Sequence, residues 1–445
     1  MRYTQITEPQ TRDMLGAIGV SSMDDLFAPV PPKFRLRRDL NIPRGLSESE
    51  MMADLRSLAI KNHGVEDLVC FAGAGAYDHF IPTVVDALAA QSEFLTAYTP
   101  YQAEASQGTL QMFYEFQTMV CQLTGMDVAN ASLYEFASAA AEAMLMAVSI
   151  TDRRKVVVAD SAHPDLRGVL RTYASQRGIE IAEIPATEGV LDARSLAGRI
   201  DETTAAVVLQ YPNVHGCVER LDQLIPVIHE RGALAIVSVD PIACGMLKSP
   251  GALGADIVVG DGQPLGIPLQ YGGPYLGLLA CREKYLRKMP GRIVGMTQDA
   301  DGRRGFCLTL QTREQHIKRE RATSNICTNQ GLLAVRASIY LAAMGKKGVT
   351  DVANQCFDKA HYAASRIAAL KGYELRFRAP FFKEFTVRSA KPVRRVLEAC
   401  RQRGIIGGVP MESFDAALKD CFLVAVTEKR TREEIDSLVA ALESA

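Results

Sequence analysis

Four short polar stretches follow apolar runs in the middle of the chain: HPD (163–165), YPNVHG (211–216), DPIACG (240–245) and GDGQPLG (260–266). In open α/β sheets ligands bind beyond the carboxyl ends of the strands, so a reacting molecule would sit beside these stretches. A carboxylate after one strand, here Asp240, with a polar loop after the next, is how one class of pyridoxal-phosphate enzymes holds its cofactor. The Asp keeps the pyridine nitrogen protonated, so that the ring serves as an electron sink, and a lysine forms the Schiff base. Taken alone, each residue has a plainer explanation, and an Asp-Pro after a strand is more often a turn.

The lysine is the discriminating residue. The stretch GADIVVGDGQPLGIPLQYGGPYLG (254–277) contains none. Lys248 lies in a loop soon after Asp240, and Lys284 lies beyond the following strand. Neither follows the short polar stretch, usually ending His-Lys, that positions a Schiff-base lysine. The residues therefore disfavour a self-sufficient pyridoxal enzyme.

The elements that would position these residues are legible as periodicity. KVVVAD (155–160), AAVVLQYPN (205–213), ALAIVSVDP (233–241), ADIVVG (255–260) and YLGLLA (275–280) are short apolar runs bounded by turn residues and mostly separated by helical stretches. Strands apolar on both faces that alternate with helices indicate a mainly parallel sheet covered on both sides. Upstream, SQGTLQMFYEFQTMVCQLTG (106–125) reads as an amphipathic helix ending at Gly125, and ASAAAEAMLMAVS as a second, small-residue helix. The segment 322–345 reads as a long helix leaving that domain, followed by a smaller alternation of helix and strand (KEFTVRS, DCFLVAVTE, TREEIDSLVAALES). The first seventy or so residues read as an arm. Ser47 and Glu50 there fit a capping box that opens a helix with Met51, Leu55, Leu58 and Ala59 on one face. The expected division is an arm and helix (1–75), a large domain (76–330) and a small C-terminal α/β domain (331–445).

Bulk properties exclude several classes. The chain has 445 residues, and its 50 basic against 51 acidic side chains leave no electrostatic footprint for nucleic acid or anionic lipid. The ten cysteines are scattered singly, without a C-x-x-C pair or zinc-like spacing, which points to reduced, mostly buried thiols and no metal. No secretory signal or bilayer-length apolar run is present, so the expected location is the cytoplasm, with no membrane partner.

Five blocks, in order, carry a resemblance: FAGAGAYDHFIP (71–82), TAYTPYQAEASQGTLQ (96–111), GMDVANASLYE (125–135), GADIVVGDGQPLGIP (254–268) and TREQHIKRERATSNICTNQ (312–330). The chain resembles the alpha-type (subunit 1) chains of the glycine cleavage system P-protein family, glycine dehydrogenase (aminomethyl-transferring). The resemblance implies the aspartate-aminotransferase-like α/β fold, fold type I of the pyridoxal-phosphate enzymes, with a mainly parallel, seven-stranded-type sheet in the large domain. It also implies an α2β2 heterotetramer in which a homologous beta subunit carries pyridoxal phosphate on its lysine. The complex decarboxylates glycine and passes the aminomethyl group to the lipoyl arm of the H-protein. The alpha chain holds no covalent cofactor and has no catalytic residue of its own. Alignment on the downstream IP puts Gln263 at the lysine position, whereas alignment on the upstream GAD puts Pro264 there; neither forms an imine.

Within that picture the YTPYQAEASQG loop is the candidate for completing the partner's site, through Tyr98, Thr99, Tyr101, Gln102, Ser106 and Gln107. The plainer alternative is that these residues only cap the 106–125 helix and pack an interface. Ser138, His163, Asp240 and Gln263 would mark a vestigial cofactor cleft. Arg313, His316, Lys318, Arg319 and Arg321 form a dense basic run, either a solvated surface or a docking patch for the H-protein. Where relatives read Asp-Gly-Ala-Thr after NASLY, this chain has Glu135-Phe136-Ala137-Ser138. This departure removes backbone freedom beside the expected phosphate position. Two further readings stand beside the leading one: a pure assembly partner without active-site contacts, and a stand-alone pyridoxal-dependent lyase or transferase.

Overall fold

The computed structural model describes residues 5–326 and 329–445; Met1 to Thr4, Cys327 and Thr328 lie outside the described residues. It divides into two compact units at His63/Gly64.

The first unit holds helices α1 (Glu8–Ile18) and α2 (Glu48–Ala59). The capping box expected at Ser47 and Glu50 forms in both directions, and Thr7 with Gln10 forms another on α1. The apolar face expected on α2 buries nothing. Met51, Leu55 and Leu58 are exposed, as are Phe34, Leu40 and Ile42, and Leu15 is the sole buried residue among those described in this unit.

The second unit is built on a seven-stranded sheet: β1 (Val128–Ala129), β2 (Lys155–Ala159), β3 (Glu180–Ile184), β4 (Thr204–Tyr211), β5 (Leu234–Val239), β6 (Ile257–Asp261) and β7 (Gly277–Cys281). Their spatial order is β1-β7-β6-β5-β4-β2-β3, and β7 alone runs against the rest. Alternate residues of the central strands serve two cores. Val157, Val207, Leu209, Ala235 and Val237 pack with Leu110, Phe113 and Phe116 of α3 (Gln107–Thr124). Val156, Val158, Val208, Leu234 and Ile236 pack with the alanine-rich α4 (Phe136–Thr151) and with α5 (Pro164–Ala174). Burial on both faces is what makes these runs continuously apolar. Helix α3 ends as expected at Gly125, which takes φ 71°.

The expected helix over 322–345 is corrected. Helix α6 runs Gly331–Ala368, and residues 322–326 are irregular. Gly345, at φ 59° and ψ −178°, breaks α6 where the expected helix was to stop, so the next predicted helix continues from the same element. Beyond it a four-stranded antiparallel sheet forms from β8 (Tyr373–Leu375), β9 (Glu384–Ser389), β10 (Val409–Pro410) and β11 (Cys421–Ala425), in the order β8-β9-β11-β10. Ile435, Leu438 and Leu442 of the C-terminal helix cover it. No helix among the described residues is long and apolar enough to cross a membrane.

Candidate functional site

Strands β4, β5 and β6 end at a common cleft, as open α/β sheets dictate. Its walls include His163, Gln210, Ser238, Asp240, Asp261, Pro264 and Phe136 from the large sheet's side, and Phe382, Lys383 and Glu384 from the start of β9. The cavity has a volume of about 40 Å³. Pro264 faces it. Gln263 instead turns away, accepting a hydrogen bond from the Tyr77 amide (2.9 Å) and donating to the carbonyls of Tyr77 (3.0 Å) and Ile267 (2.8 Å).

The space in front of Asp240 is filled by a side chain that sequence reading missed. Lys383, 1% exposed, places its Nζ 2.7 Å from the Asp240 carboxylate, 3.0 Å from His79 Nε2 and 3.5 Å from the Tyr77 ring centroid. An ammonium there is triply favoured, by ion pairing, hydrogen bonding and cation–π attraction in a site shielded from water. The Lys383 Nζ faces Nε2, and the other ring nitrogen of His79 faces Glu428, 2.6 Å away. Glu428 also accepts the Phe80 amide at 2.7 Å. Burial pushes its carboxyl up, but the His79 ring and the Phe80 amide outweigh burial and hold it at about 2. His79, Cys356 and Glu428 have metal-ligand atoms within 4.8 Å of one another, yet the neighbouring ammonium makes the place hostile to a cation.

The AGAGAYDH loop is thereby clamped between the two sheets. Glu384 accepts the Ala74 amide (2.7 Å) and the Tyr77 hydroxyl (2.8 Å), while Asp78 pairs with Lys429 (2.9 Å) and Arg430 (3.0 Å). Burial raises the Glu384 carboxyl to about 6 and Asp261 to about 7.

At the N-terminus of α4, the Glu135 carboxylate accepts the amides of Ala137 (2.6 Å) and Ser138 (3.0 Å) and the Ser138 hydroxyl. A negative group thus already sits where a helix offers free donors and the positive end of its dipole. Phe136 meets the His163 ring edge-on at 5.3 Å, and Phe414 packs against the same ring at 5.4 Å. Burial lowers the His163 pKa, keeping the imidazole neutral, and its Nδ1 accepts the Asp165 amide.

The YTPYQAEASQG loop lies elsewhere. Tyr98 is 80% exposed, and with Thr99, Phe113 and Val335 it lines a separate cavity of about 260 Å³. Tyr101, 54% exposed, accepts a hydrogen bond from the buried Arg292 at 2.9 Å. Gln102 is exposed. Gln107 is a strut: it donates to the Phe306 carbonyl (2.8 Å) and accepts the Phe306 amide (2.9 Å). Ser106 stands at the N-cap of α3 without a side-chain cap bond.

The basic run divides. Arg313 is buried and donates to the carbonyls of Met289, Gly291 and Leu310, so it braces a turn. His316 lies 3.7 Å from Glu314, and Lys318, Arg319 and Arg321 are exposed.

The model of the glycine cleavage system P-protein matches residues 1–442. The chain belongs to the glycine cleavage system P-protein family. It is 51% identical over 99% of its length to a probable glycine dehydrogenase (decarboxylating) subunit 1 of Desulforamulus reducens, covering 99% of that protein. It is 50% identical to the protein of the same description from Geotalea uraniireducens, with both chains covered in full. Among solved structures, an inhibitor-bound glycine decarboxylase (P-protein) of the glycine cleavage system superposes with a TM-score of 0.90 at 41% identity, covering 100% of both chains. A Burkholderia pseudomallei sphingosine-1-phosphate lyase, at 16% identity, a TM-score of 0.65 and 94% coverage of both chains, shares the fold alone. The fold is that of the type I pyridoxal-phosphate enzymes.

In this P-protein family chain the residues present do not fit that cofactor. Lys383 holds Asp240, Glu135 occupies the donors of α4, and Pro264 and Gln263 offer no amine. The remaining 40 Å³ is far below the roughly 300 Å³ or more of a small-molecule site.

Proposed function

We propose that this chain is the subunit 1 component of a two-chain glycine decarboxylase. A homologous partner would hold pyridoxal phosphate, and this chain would complete the partner's site and carry part of the surface that receives the lipoyl arm of the H-protein. The observation that carries the reading is the Lys383–Asp240 contact: at 2.7 Å it takes up the carboxylate that a pyridine nitrogen would need. Lys383 is the one lysine lining the cleft among the described residues, and its amine is bound to the wrong partner for a Schiff base. A stand-alone pyridoxal enzyme is thereby disfavoured.

Exposed groups support a role toward a partner. Tyr98, Tyr101 and Gln102 form a polar aromatic loop in solvent, and Arg292 holds the Tyr101 hydroxyl from below. The exposed apolar side chains of α2 are the kind of surface that a second chain covers. Such a loop can orient a small zwitterion and exclude water at a neighbour's site without providing a nucleophile.

The test is co-expression with a candidate beta chain, followed by glycine–bicarbonate exchange in the presence of lipoylated H-protein. Omitting this chain should abolish exchange. Tyr98→Ala and Gln102→Ala should leave the assembly intact and lower exchange at least tenfold. Full exchange with both replaced would reduce the chain to an assembly partner.

A further inference from the structure

The closed cleft holds two internal charges at the two places where the fold would bind charged parts of a cofactor. Asp240 follows β5, the position from which a carboxylate holds a pyridinium nitrogen, and it is paired with Lys383. The N-terminus of α4, beside which the fold places a phosphate, is closed by the Glu135 carboxylate. The signs match: a cation faces the carboxylate and an anion faces the helix amides.

We propose that Lys383 and Glu135 form a protein-made stand-in for the cofactor, which satisfies the charges of the vacated cleft and latches β9 and the AGAGAYDH loop onto the large sheet. The latch follows from where the groups are attached. Lys383 immediately precedes β9 of the four-stranded sheet, Asp240 follows β5 of the seven-stranded one, and His79 and Tyr77 belong to the loop between them. One ammonium therefore joins three segments. Glu428, just past β11, extends the chain of contacts through His79.

The stand-in makes a specific demand: removing both internal charges should reopen a site for a molecule that carries a pyridinium and a phosphate. Pyridoxamine 5′-phosphate is the probe, because it has both groups and needs no lysine. Equilibrium dialysis of the full chain should show no binding to the wild type at 100 μM probe, set at roughly a hundredfold a micromolar dissociation constant. The Glu135→Ala/Lys383→Ala double variant should bind about one equivalent, at least tenfold tighter than either single variant. A folded double variant that binds no better than the wild type would overturn the proposal, as would stoichiometric binding by the wild type.

A second pair of variants covers the case in which the double variant does not fold. Lys383→Met leaves Asp240 unpaired, and hydrogen exchange of residues 74–80 and 382–386 should rise together by more than tenfold. Adding Asp240→Asn should return most of that protection. Exchange that rises only at 382–386, or is not recovered by the second change, would refute the latch. Neither readout depends on glycine decarboxylation, so failure of the stand-in is separable from failure of the proposed activity.

Discussion

Glu428→Gln tests the clamp on the AGAGAYDH loop through its pH dependence. The wild-type carboxyl lies at about 2 against an ordinary value of 4.5, because the contacts with His79 and the Phe80 amide outweigh its burial. A folded value below the unfolded one means that the stabilisation is complete above about pH 4.5 and is lost as the pH falls toward 2. The difference is worth about 3 kcal/mol at neutral pH, of which about 2 kcal/mol disappears between pH 6 and pH 3. Glu384, Asp261 and Glu142 have the opposite sign. Burial raises them to about 6, 7 and 7, so each favours the folded state as the pH falls through those values. These groups are common to the wild type and the variant and cancel in the difference. Urea unfolding followed by circular dichroism should show the wild type ahead by about 3 kcal/mol at pH 6, with the gap narrowing by about 2 kcal/mol at pH 3. A gap that stays constant across that range, or that is absent at pH 6, would refute the assignment of Glu428 as a clamped carboxylate.

Other substitutions separate bracing from partner contact. Gln263→Lys should give no imine absorbance with pyridoxal phosphate. It should also destabilise the chain by about 3 kcal/mol or more, since it strips the Tyr77 amide of its acceptor and buries an ammonium that lacks a carboxylate. Tyr101→Phe should lower exchange, and adding Arg292→Lys should lower it less than Arg292→Lys does in the wild type, because the hydrogen bond between the two side chains is already gone. Arg319→Glu with Arg321→Glu should raise the apparent KM for H-protein in a salt-dependent way and leave the melting temperature within about a degree, whereas Arg313→Ala should lower the melting temperature by several degrees, having stripped three carbonyls of their donor.

What the sequence disclosed follows from the range of the interactions involved. The five central strands were legible because burial on both faces forces continuous apolar runs, α3 because its apolar face is periodic and Gly125 ends it, and α4 because its run of small apolar residues is buried nearly all round. The edge strand β3 escaped notice: two glutamates interrupt EIAEI, which is partly open to solvent, so neither a continuous apolar run nor a strict alternation marks it. The hairpin Ile293–Gln298 with Arg304–Thr309 escaped for the same reason, since Met296 and its neighbours toward the turn are exposed. Asp240, His163 and Ser138 lie at strand and helix ends, which local topology suffices to locate, whereas the direction in which Gln263 turns depends on Tyr77 of a distant loop. Lys383 was invisible because nothing in FFKEFTVRS distinguishes a lysine that reaches across to the other sheet from one that faces water. Arg313 misled in the reverse direction: it counted toward a basic run, but its charge is spent on turn carbonyls.

The pairing of Lys383 with Asp240 also indicates how such a chain can lose its cofactor and keep its fold. Replacing the Schiff-base lysine alone would leave a carboxylate after β5 and free amides at α4, buried and facing a void. An unpaired buried charge costs about 3–5 kcal/mol, a large part of a typical domain's net stability. The cleft must therefore be refilled with matching charges or be rebuilt as an apolar core. In the proposed stand-in, Lys383 and Glu135 follow the first course at two points, and Phe136 and Phe414 pack on His163 at a third. A family relative that lacks the lysine should then carry a buried cation opposite the Asp and an acidic residue at the helix cap. A relative that retains the lysine should have neither, because a cation and an anion fixed there would compete with the cofactor for the same partners.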